Sequence, residues 1–257
     1  MSTKISQIVE CLKAAKSILF ITGAGVSADS GLPTYRGIGG LYNVDDTEEG
    51  YPIEVLLSGE MLRQRPELTW KYLAEIALAC RGKAPNRGHE IIAEVEDEFD
   101  RVCVLTQNVD GFHREAGSHN VIDIHGDLHD LMCTSCPKRQ RVNADDFDSI
   151  EIPPRCAECN HVVRPDVVLF GELLPPQKVS NLRTELDAGF DLVFSIGTTS
   201  VFPYIAEPVV RAAQAGKPTI EINPGKSEIS DLVDIALSMK ASEALQKIWT
   251  TYQQQAM

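Results

Sequence analysis

Two Cys-x2-Cys pairs, "CTSC" at 133–136 and "CAEC" at 156–159, stand nineteen residues apart in the chain. Thiolates three positions apart on a tight turn can both face one ion at about 2.3 Å, and two such turns close a tetrahedron. Cys133, Cys136, Cys156 and Cys159 are therefore expected to bind zinc. With four thiolates there is no open position for water, so the ion is structural. The competing readings are disulfides, which suit an oxidising compartment, and a redox pair, which needs only one Cys-x-x-Cys. The other cysteines, Cys11, Cys80 and Cys103, sit singly in apolar contexts and read as small buried hydrophobes.

A second chemical signal is "ILFITGAGVSADSG", where an apolar run breaks into Gly23-x-Gly25-x-x-Ala28. Glycines at the end of a strand let backbone approach a phosphate, and a helix starting near Ser27 would add its N–H groups. A dehydrogenase would then place an acidic residue at the end of a second strand about 20 residues on. Asp45 and Asp46 stand near that distance, but in the loop-like "LYNVDDTEEG". Phosphate binding is the expectation, and ordinary dehydrogenase architecture is not. An ordinary strand-to-helix turn remains the bland alternative.

Four further strand ends carry polar groups. "TQNVDGFH" sets Gln107, Asn108 and Asp110 after "RVCVL", and "VIDIHG" sets His125 after another apolar run. An imidazole at the same sheet edge is a candidate general base near neutral pH. Capping of a following helix is the structural alternative for the polar trio, and His129 reads as structural or surface. "SIGTTS" at 195–200 and "EINPG" at 221–225 add Gly197, Thr198, Ser200 and Asn223, which suit phosphate oxygens and a ribose or base.

Elements that would carry these groups alternate along the chain. Strands are expected near 17–22, 101–105, 121–125, 191–196 and 218–222, separated by amphipathic stretches such as "GHEIIAEVEDEF" and "PYIAEPVVRAAQAG". Strands apolar on both faces and alternating with helices indicate an α/β fold whose parallel sheet is covered on both sides. Two stretches break the rhythm: 38–82 reads as a helical insertion, and 128–162 holds the cysteines with little apolar periodicity. The expected division is a Rossmann-like domain from 1–37, 83–127 and 163–257, with the two excursions forming a smaller zinc-binding and helical domain.

Composition narrows the function class. In 257 residues with 43% apolar content and a net charge of −13, a large core is expected and a basic nucleic-acid face is not. The acidic surface is compatible with attracting lysine-rich polypeptides, or with solubility alone. No apolar run approaches the ~20 residues of a membrane span, and the N-terminal stretch lacks the features of a signal peptide. The expected setting is the cytoplasm, with no membrane partner. Oligomeric state is not legible, and a monomer is compatible with the sequence.

Taken in order, "GAGVSADSGLPTYRG", "TQNVDGFH", "IHG", the four cysteines, "RPDVVLFGE", "GTTSVFP" and "IN" resemble the sirtuins, NAD-dependent protein lysine deacylases, from about residue 16 to 245. The resemblance implies a bacterial-type enzyme whose Rossmann-like and small domains enclose NAD, consumed as a co-substrate. It implies that Gly23, Ala24, Gly25, Ser27 and Arg36 form the cofactor loop, with Tyr35 beside the nicotinamide. Gln107, Asn108 and Asp110 would line the nicotinamide–ribose pocket, Asn108 and Asp110 sharing in catalysis with the base His125. Gly197, Thr198, Ser200 and Asn223 would hold phosphate and adenosine, with Ala241 bordering the adenine. The stretch 167–172 would pair with the substrate backbone, Val168 and Phe170 flanking the acyl-lysine beside Gly171 and Glu172.

The implied chemistry moves the acyl group to ADP-ribose and frees nicotinamide and lysine. Thr34, Tyr35, Leu169 and Thr199 depart mildly from the commoner family pattern. Members specialised for succinyl or malonyl groups carry Tyr-x-x-Arg in the helical insertion. The nearest match here is Tyr72 with Glu75, which predicts a preference for acetyl or another neutral acyl group. Mono-ADP-ribosyl transfer and a non-catalytic NAD-sensing module are the alternatives, and His125 and Asn108 argue for turnover.

Overall fold

A computed structural model of the chain describes residues 2–34 and 47–256. In its first half, helix α1 (Ser2–Ala14) leads into strand β1 (Ser17–Thr22), and a single turn, α2 (Ala24–Ser27), follows. Helices α3 (Ile53–Leu56), α4 (Gly59–Gln64), α5 (Pro66–Ala79) and α6 (Arg87–Glu98) precede strand β2 (Arg101–Thr106), the turn α7 (Phe112–Glu115) and strand β3 (Val121–Asp123). Strands β4 (Gly126–Cys133), β5 (Arg139–Arg141) and β6 (Val163–Val167) come next. Helix α8 (Pro176–Ala188), strand β7 (Leu192–Ile196), helix α9 (Pro203–Gln214), strands β8 (Thr219–Ile222) and β9 (Ile235–Leu237), and helix α10 (Ala241–Ala256) complete it.

Among the described residues, six strands form one parallel sheet in the order β3-β2-β1-β7-β8-β9. Alternation of side chains divides each strand between two cores. Ile18, Phe20, Val102 and Val104 pack under α1, α6 and α10, while Leu19, Ile21, Cys103 and Leu105 pack under α8 and α9. Phe20 stacks on Phe194 of the neighbouring strand with centroids 5.1 Å apart. Truncating either ring to alanine would cost about 3–5 kcal/mol. Local signals fix the helix starts. Asn86 caps α6 by accepting from the Gly88 N–H, and His89 Nδ1 accepts from the Asn86 N–H. Proline opens α5, α8 and α9, where its missing N–H costs nothing.

Four expected strands lie where the sequence puts them, and the fifth, 121–125, is shorter. It ends at Asp123, so His125 sits beyond the strand in the following turn. Strand β9 was not expected, because its three residues are too few to show a period. A second sheet, β5-β4-β6, is antiparallel and draws on residues to both sides of 128–162. Its apolar face and the α3–α5 helices share one cluster in which Trp70, Leu73 and Ala77 meet Leu128, Leu131 and Phe147. The fully buried Trp70 donates its indole N–H to the Val163 carbonyl at 2.7 Å. Cys80 and Cys103 are buried as expected, but Cys11 is only half-buried because it lies at the edge of the α1 contact.

Candidate active site

Strand order reverses at β1: the chain runs outward through β2 and β3, then returns to place β7 on the other side of β1. Open parallel sheets bind ligands at the carboxyl ends of strands at such a switch point. There the loops after β1 and β7 touch. The Gly25 N–H donates to Gly197 O at 2.9 Å and the Gly23 N–H to Ile196 O at 3.1 Å. A Cβ on Gly25 would fall 2.6 Å from the Gly197 Cα, and Gly197 itself has φ +60°. Only glycine permits this approach. The helix expected near Ser27 begins earlier, at Ala24, and lasts one turn before a 3₁₀ turn at Ala28–Ser30.

A cavity of about 670 Å³ opens over these loops, within the range typical of ligand sites. Gly23, Ala24, Gly25, Gln107, Asn108, His125, Val168, Phe170, Gly171, Glu172, Gly197, Thr198 and Asn223 line it. Ser27 and Asp110 do not; they lie behind the glycine loop. The Ser27 hydroxyl donates to Asp110 Oδ2 at 2.7 Å, and the Asn108 amide donates to Gly23 O and Ser27 Oγ, each at 3.1 Å. Burial pushes the Asp110 carboxyl up, against the pull of hydrogen bonds from Ser27 and the Phe112 N–H. This network braces the loop from beneath.

Ser200 and Ala241 also sit off the cavity wall. Ser200 adopts φ +55° and its buried hydroxyl has no partner. Ala241 is packed in the core at the start of α10, and it is its neighbour Lys240 that reaches the cavity. Tyr35, Arg36, Asp45 and Asp46 lie outside the described residues.

His125 is oriented from two sides. Its Nδ1 lies 3.1 Å from the Gln107 carbonyl, which can only accept, so Nδ1 carries the proton and Nε2 holds the lone pair. Burial lowers its pKa from the ordinary imidazole value; the Gln107 carbonyl opposes that and the Lys178 charge adds to it. The neutral, basic form therefore dominates at pH 7. Gln107 is held in turn by its amide, which donates to Thr198 Oγ1 at 2.7 Å.

The four paired cysteines meet at one point, their sulfurs all within 4.8 Å of one another. The Cys133–Cys159 and Cys136–Cys156 separations are 3.4 and 3.6 Å, close to the roughly 3.8 Å edge of a tetrahedral zinc–thiolate site. The backbone N–H groups of Ser135 and Cys136 point at Cys133 Sγ. The set fits a structural zinc, and all four thiols are unpaired by disulfides. His129 is not among the ligands; its Nδ1 bonds Asp127 Oδ1 at 3.0 Å.

The sequence profile of the Sir2 family matches residues 23–203. The chain belongs to the Sir2 family. A relative named NAD-dependent protein deacylase 2, from Pseudomonas aeruginosa, is 50% identical over 246 residues, 95% of each chain. A solved Sir2 homologue in complex with NAD superposes with a TM-score of 0.86 at 34% identity, covering 98% of this chain and 95% of that one. A Sir2 mutant bound to a deacetylated p53 peptide and 3′-O-acetyl-ADP-ribose superposes with a TM-score of 0.85 at 25% identity, covering 96% and 98%.

In this Sir2 chain the stretch after β6 is fastened along its length. The Val168 N–H donates to His125 O at 2.8 Å and the Phe170 N–H to Leu57 O at 3.0 Å, while Phe170 O accepts from the Gly59 N–H. Glu172 does more than line the cavity. It forms a two-pronged ion pair with the half-buried Arg164 at 2.6 and 2.9 Å and accepts from the Leu169 N–H. These bonds hold its carboxyl below the usual range despite burial.

Of the helical insertion, Leu73 and Ile76 of α5 line the cavity, and Tyr72 and Glu75 do not. The Tyr72 hydroxyl bonds Glu49 and Glu75 is exposed. The α5 residues at the same i, i+3 spacing that do face the cavity are Leu73 and Ile76, one position further along the helix. Leu57, Leu73, Ile76, Tyr204, Lys226 and Lys240 are lining groups that sequence reasoning missed. The first three carried only a core signal, and the others lie near motifs without belonging to them.

Proposed function

We propose that this protein is an NAD-dependent protein lysine deacylase that acts in the cytoplasm as two functional parts, a Rossmann-like domain and a smaller zinc-and-helix domain divided as the sequence suggests. One observation carries the reading. A single cavity joins a glycine-walled dinucleotide crevice to a neutral histidine and an apolar pocket. Free cysteines throughout the described chain agree with a reducing compartment, and no described helix is long and apolar enough to cross a membrane.

The residues fit NAD. The contacting glycines leave backbone exposed on the crevice floor, the unpartnered Ser200 hydroxyl lies close behind it, and Lys226 and Lys240 on the rim complement a diphosphate. When bound, NAD supplies an electrophilic ribose carbon with a nicotinamide leaving group, and neighbouring hydroxyls that receive the acyl group. Gly23, Ala24, Gly25, Gly197 and Thr198 would seat the phosphates. Asn223, held by its amide to Thr198 O at 2.9 Å, would face the adenosine. Asn108 and the Ser27–Asp110 pair behind it keep the loop in place under the nicotinamide.

With NAD bound, His125 Nε2 would accept the proton of a ribose hydroxyl whose oxygen takes the acyl group, the acyl–nitrogen bond to the lysine being the one given up. Val168 and Phe170 flank the lysine stem, and Leu57, Leu73 and Ile76 exclude water from the acyl group. The acylated lysine of a protein is the substrate, and the zinc site supports the fold without contacting the reaction. Incubation with NAD and acyl-lysine peptides, followed by mass analysis, tests this. O-acyl-ADP-ribose with free lysine peptide supports it, and ADP-ribose transferred to protein without deacylation overturns it.

A further inference from the structure

One group in the cavity has no part in the chemistry above. Tyr204, the second residue of α9, places its hydroxyl 2.6 Å from His125 Nε2. That nitrogen is the basic one, because Nδ1 is committed to the Gln107 carbonyl. In neutral imidazole Nε2 can only accept, so the phenol O–H must donate to it. The ring has little freedom to swing away by itself. It stacks on Phe202 with centroids 5.5 Å apart and planes 13° from parallel, and it meets the His125 ring edge-on at 5.9 Å. His125 also meets Phe202 edge-on, so the imidazole is held by an aromatic corner as well as by both nitrogens.

We infer that Tyr204 is a positioning residue for the base: before substrate arrives its hydroxyl latches the Nε2 lone pair of neutral His125, and the ribose hydroxyl takes that place on binding. This rests on the deacylase reading for its role in turnover, but the latch itself is a property of the unliganded protein. The donor favours the neutral imidazole. On protonation Nε2 becomes a donor and the phenol must turn round to accept, which leaves its own proton without a partner among the described residues. Burial raises the phenol pKa to about 12, so it remains a donor across the working range.

Of the charged groups around His125, Lys178 of α8 also disfavours the imidazolium, but Tyr204→Phe leaves it in place, its ammonium bound to Asp123 O at 2.8 Å and Asp123 Oδ1 at 3.0 Å. Asp123 also pairs with Arg114 at 3.3 Å. From the end of β2 the neutral Gln107 approaches, and from the stretch after β6 the Val168 backbone.

The test is Tyr204→Phe, which keeps the ring stack and removes the hydroxyl. In the unliganded full chain, ¹⁵N NMR of the histidines reads the His125 titration directly and needs no turnover. The midpoint is expected to rise by roughly half to one pH unit in the variant, the size of one lost hydrogen bond. The acid limb of kcat/KM in the deacylation assay should rise with it, while the plateau rate is kept or increased because nothing need be displaced from Nε2. A midpoint that stays or falls overturns the latch. So does a plateau reduced tenfold or more with an unmoved midpoint, which would make Tyr204 a proton relay. If wild type shows no deacylation but the midpoint shifts, the functional reading fails and the latch stands.

Discussion

His125 owes its usefulness to a backbone carbonyl. The Gln107 oxygen fixes the proton on Nδ1, and burial keeps Nε2 unprotonated, so the basic atom is set before any substrate arrives. Removing it by His125→Ala should reduce deacylation by roughly 100-fold or more, the usual reach of general-base catalysis. Thermal unfolding should stay near wild type, since the ring borders a cavity. Near-normal turnover in that variant would remove His125 from the mechanism. At this scale the sequence says much. An apolar run ending in a polar residue marks each strand's carboxyl end, and the parallel sheet gathers Gly23, Gln107, Asn108, His125, Gly197 and Asn223 there. What it hides is contact between distant residues. Tyr204 meets His125 across 79 positions, and no local pattern distinguishes it from any aromatic at a helix start.

At the level of elements, the three-stranded sheet was the least legible part of the fold. Strand β5 is "RQR", exposed throughout, and β4 shifts register between Asp127 and Leu131, so neither keeps a clean alternation. The four thiolates, by contrast, announce themselves by spacing and hold this sheet together. Metal affinity there is folding free energy, and the same sheet packs against α5 through Trp70. Trp70 thus reports on the zinc site from a distance. The chain's other tryptophan, Trp249, lies on the core-facing side of α10 and donates to Glu94. In a Trp249→Phe background, Cys156→Ala should abolish bound zinc and red-shift the Trp70 emission as its pocket opens to water. Zinc-free protein with unshifted emission would show that the thiol cluster does not support this core.

For the whole molecule, two imidazoles buried beneath the glycine loop lower acid tolerance, in the same direction as His125. His89 is pushed down to about 4 by burial. His113, bonded through Nε2 to Thr22 with Nδ1 unpartnered, is also lowered well below the ordinary imidazole value, chiefly by burial. Both are neutral in the fold and protonate in the unfolded chain near pH 6.5. The unfolded state then binds more protons, and stability falls as pH drops. For His89 alone the loss is about 3 kcal/mol between pH 6.5 and 4. Asp110, raised by burial, acts in the opposite direction in the carboxylate range. Urea midpoints should therefore decline steadily from pH 7 to pH 5, and a flat profile would mean that these rings are protonated in the folded protein.

The proposed acyl pocket also belongs to the whole molecule, because four separate stretches build it: Leu57, the α5 pair Leu73 and Ile76, Leu128 of β4, and Val167–Phe170. Among the described residues that line it on the α5 side there is no cation, and the expected Tyr72–Glu75 pair faces elsewhere. A carboxylate brought there would lose its water and gain no partner, which costs several kcal/mol. A neutral chain would instead gain about 0.8 kcal/mol for each methylene it buries. Acetyl and longer apolar acyl-lysines should thus be turned over with kcat/KM at least 100-fold above succinyl-lysine on matched peptides. Ile76→Arg, which sets a guanidinium on the pocket wall, should narrow that ratio by improving succinyl and impairing the apolar acyl groups. If wild type favours succinyl-lysine, a cation from elsewhere in the chain reaches the pocket, and the apolar wall does not set the specificity.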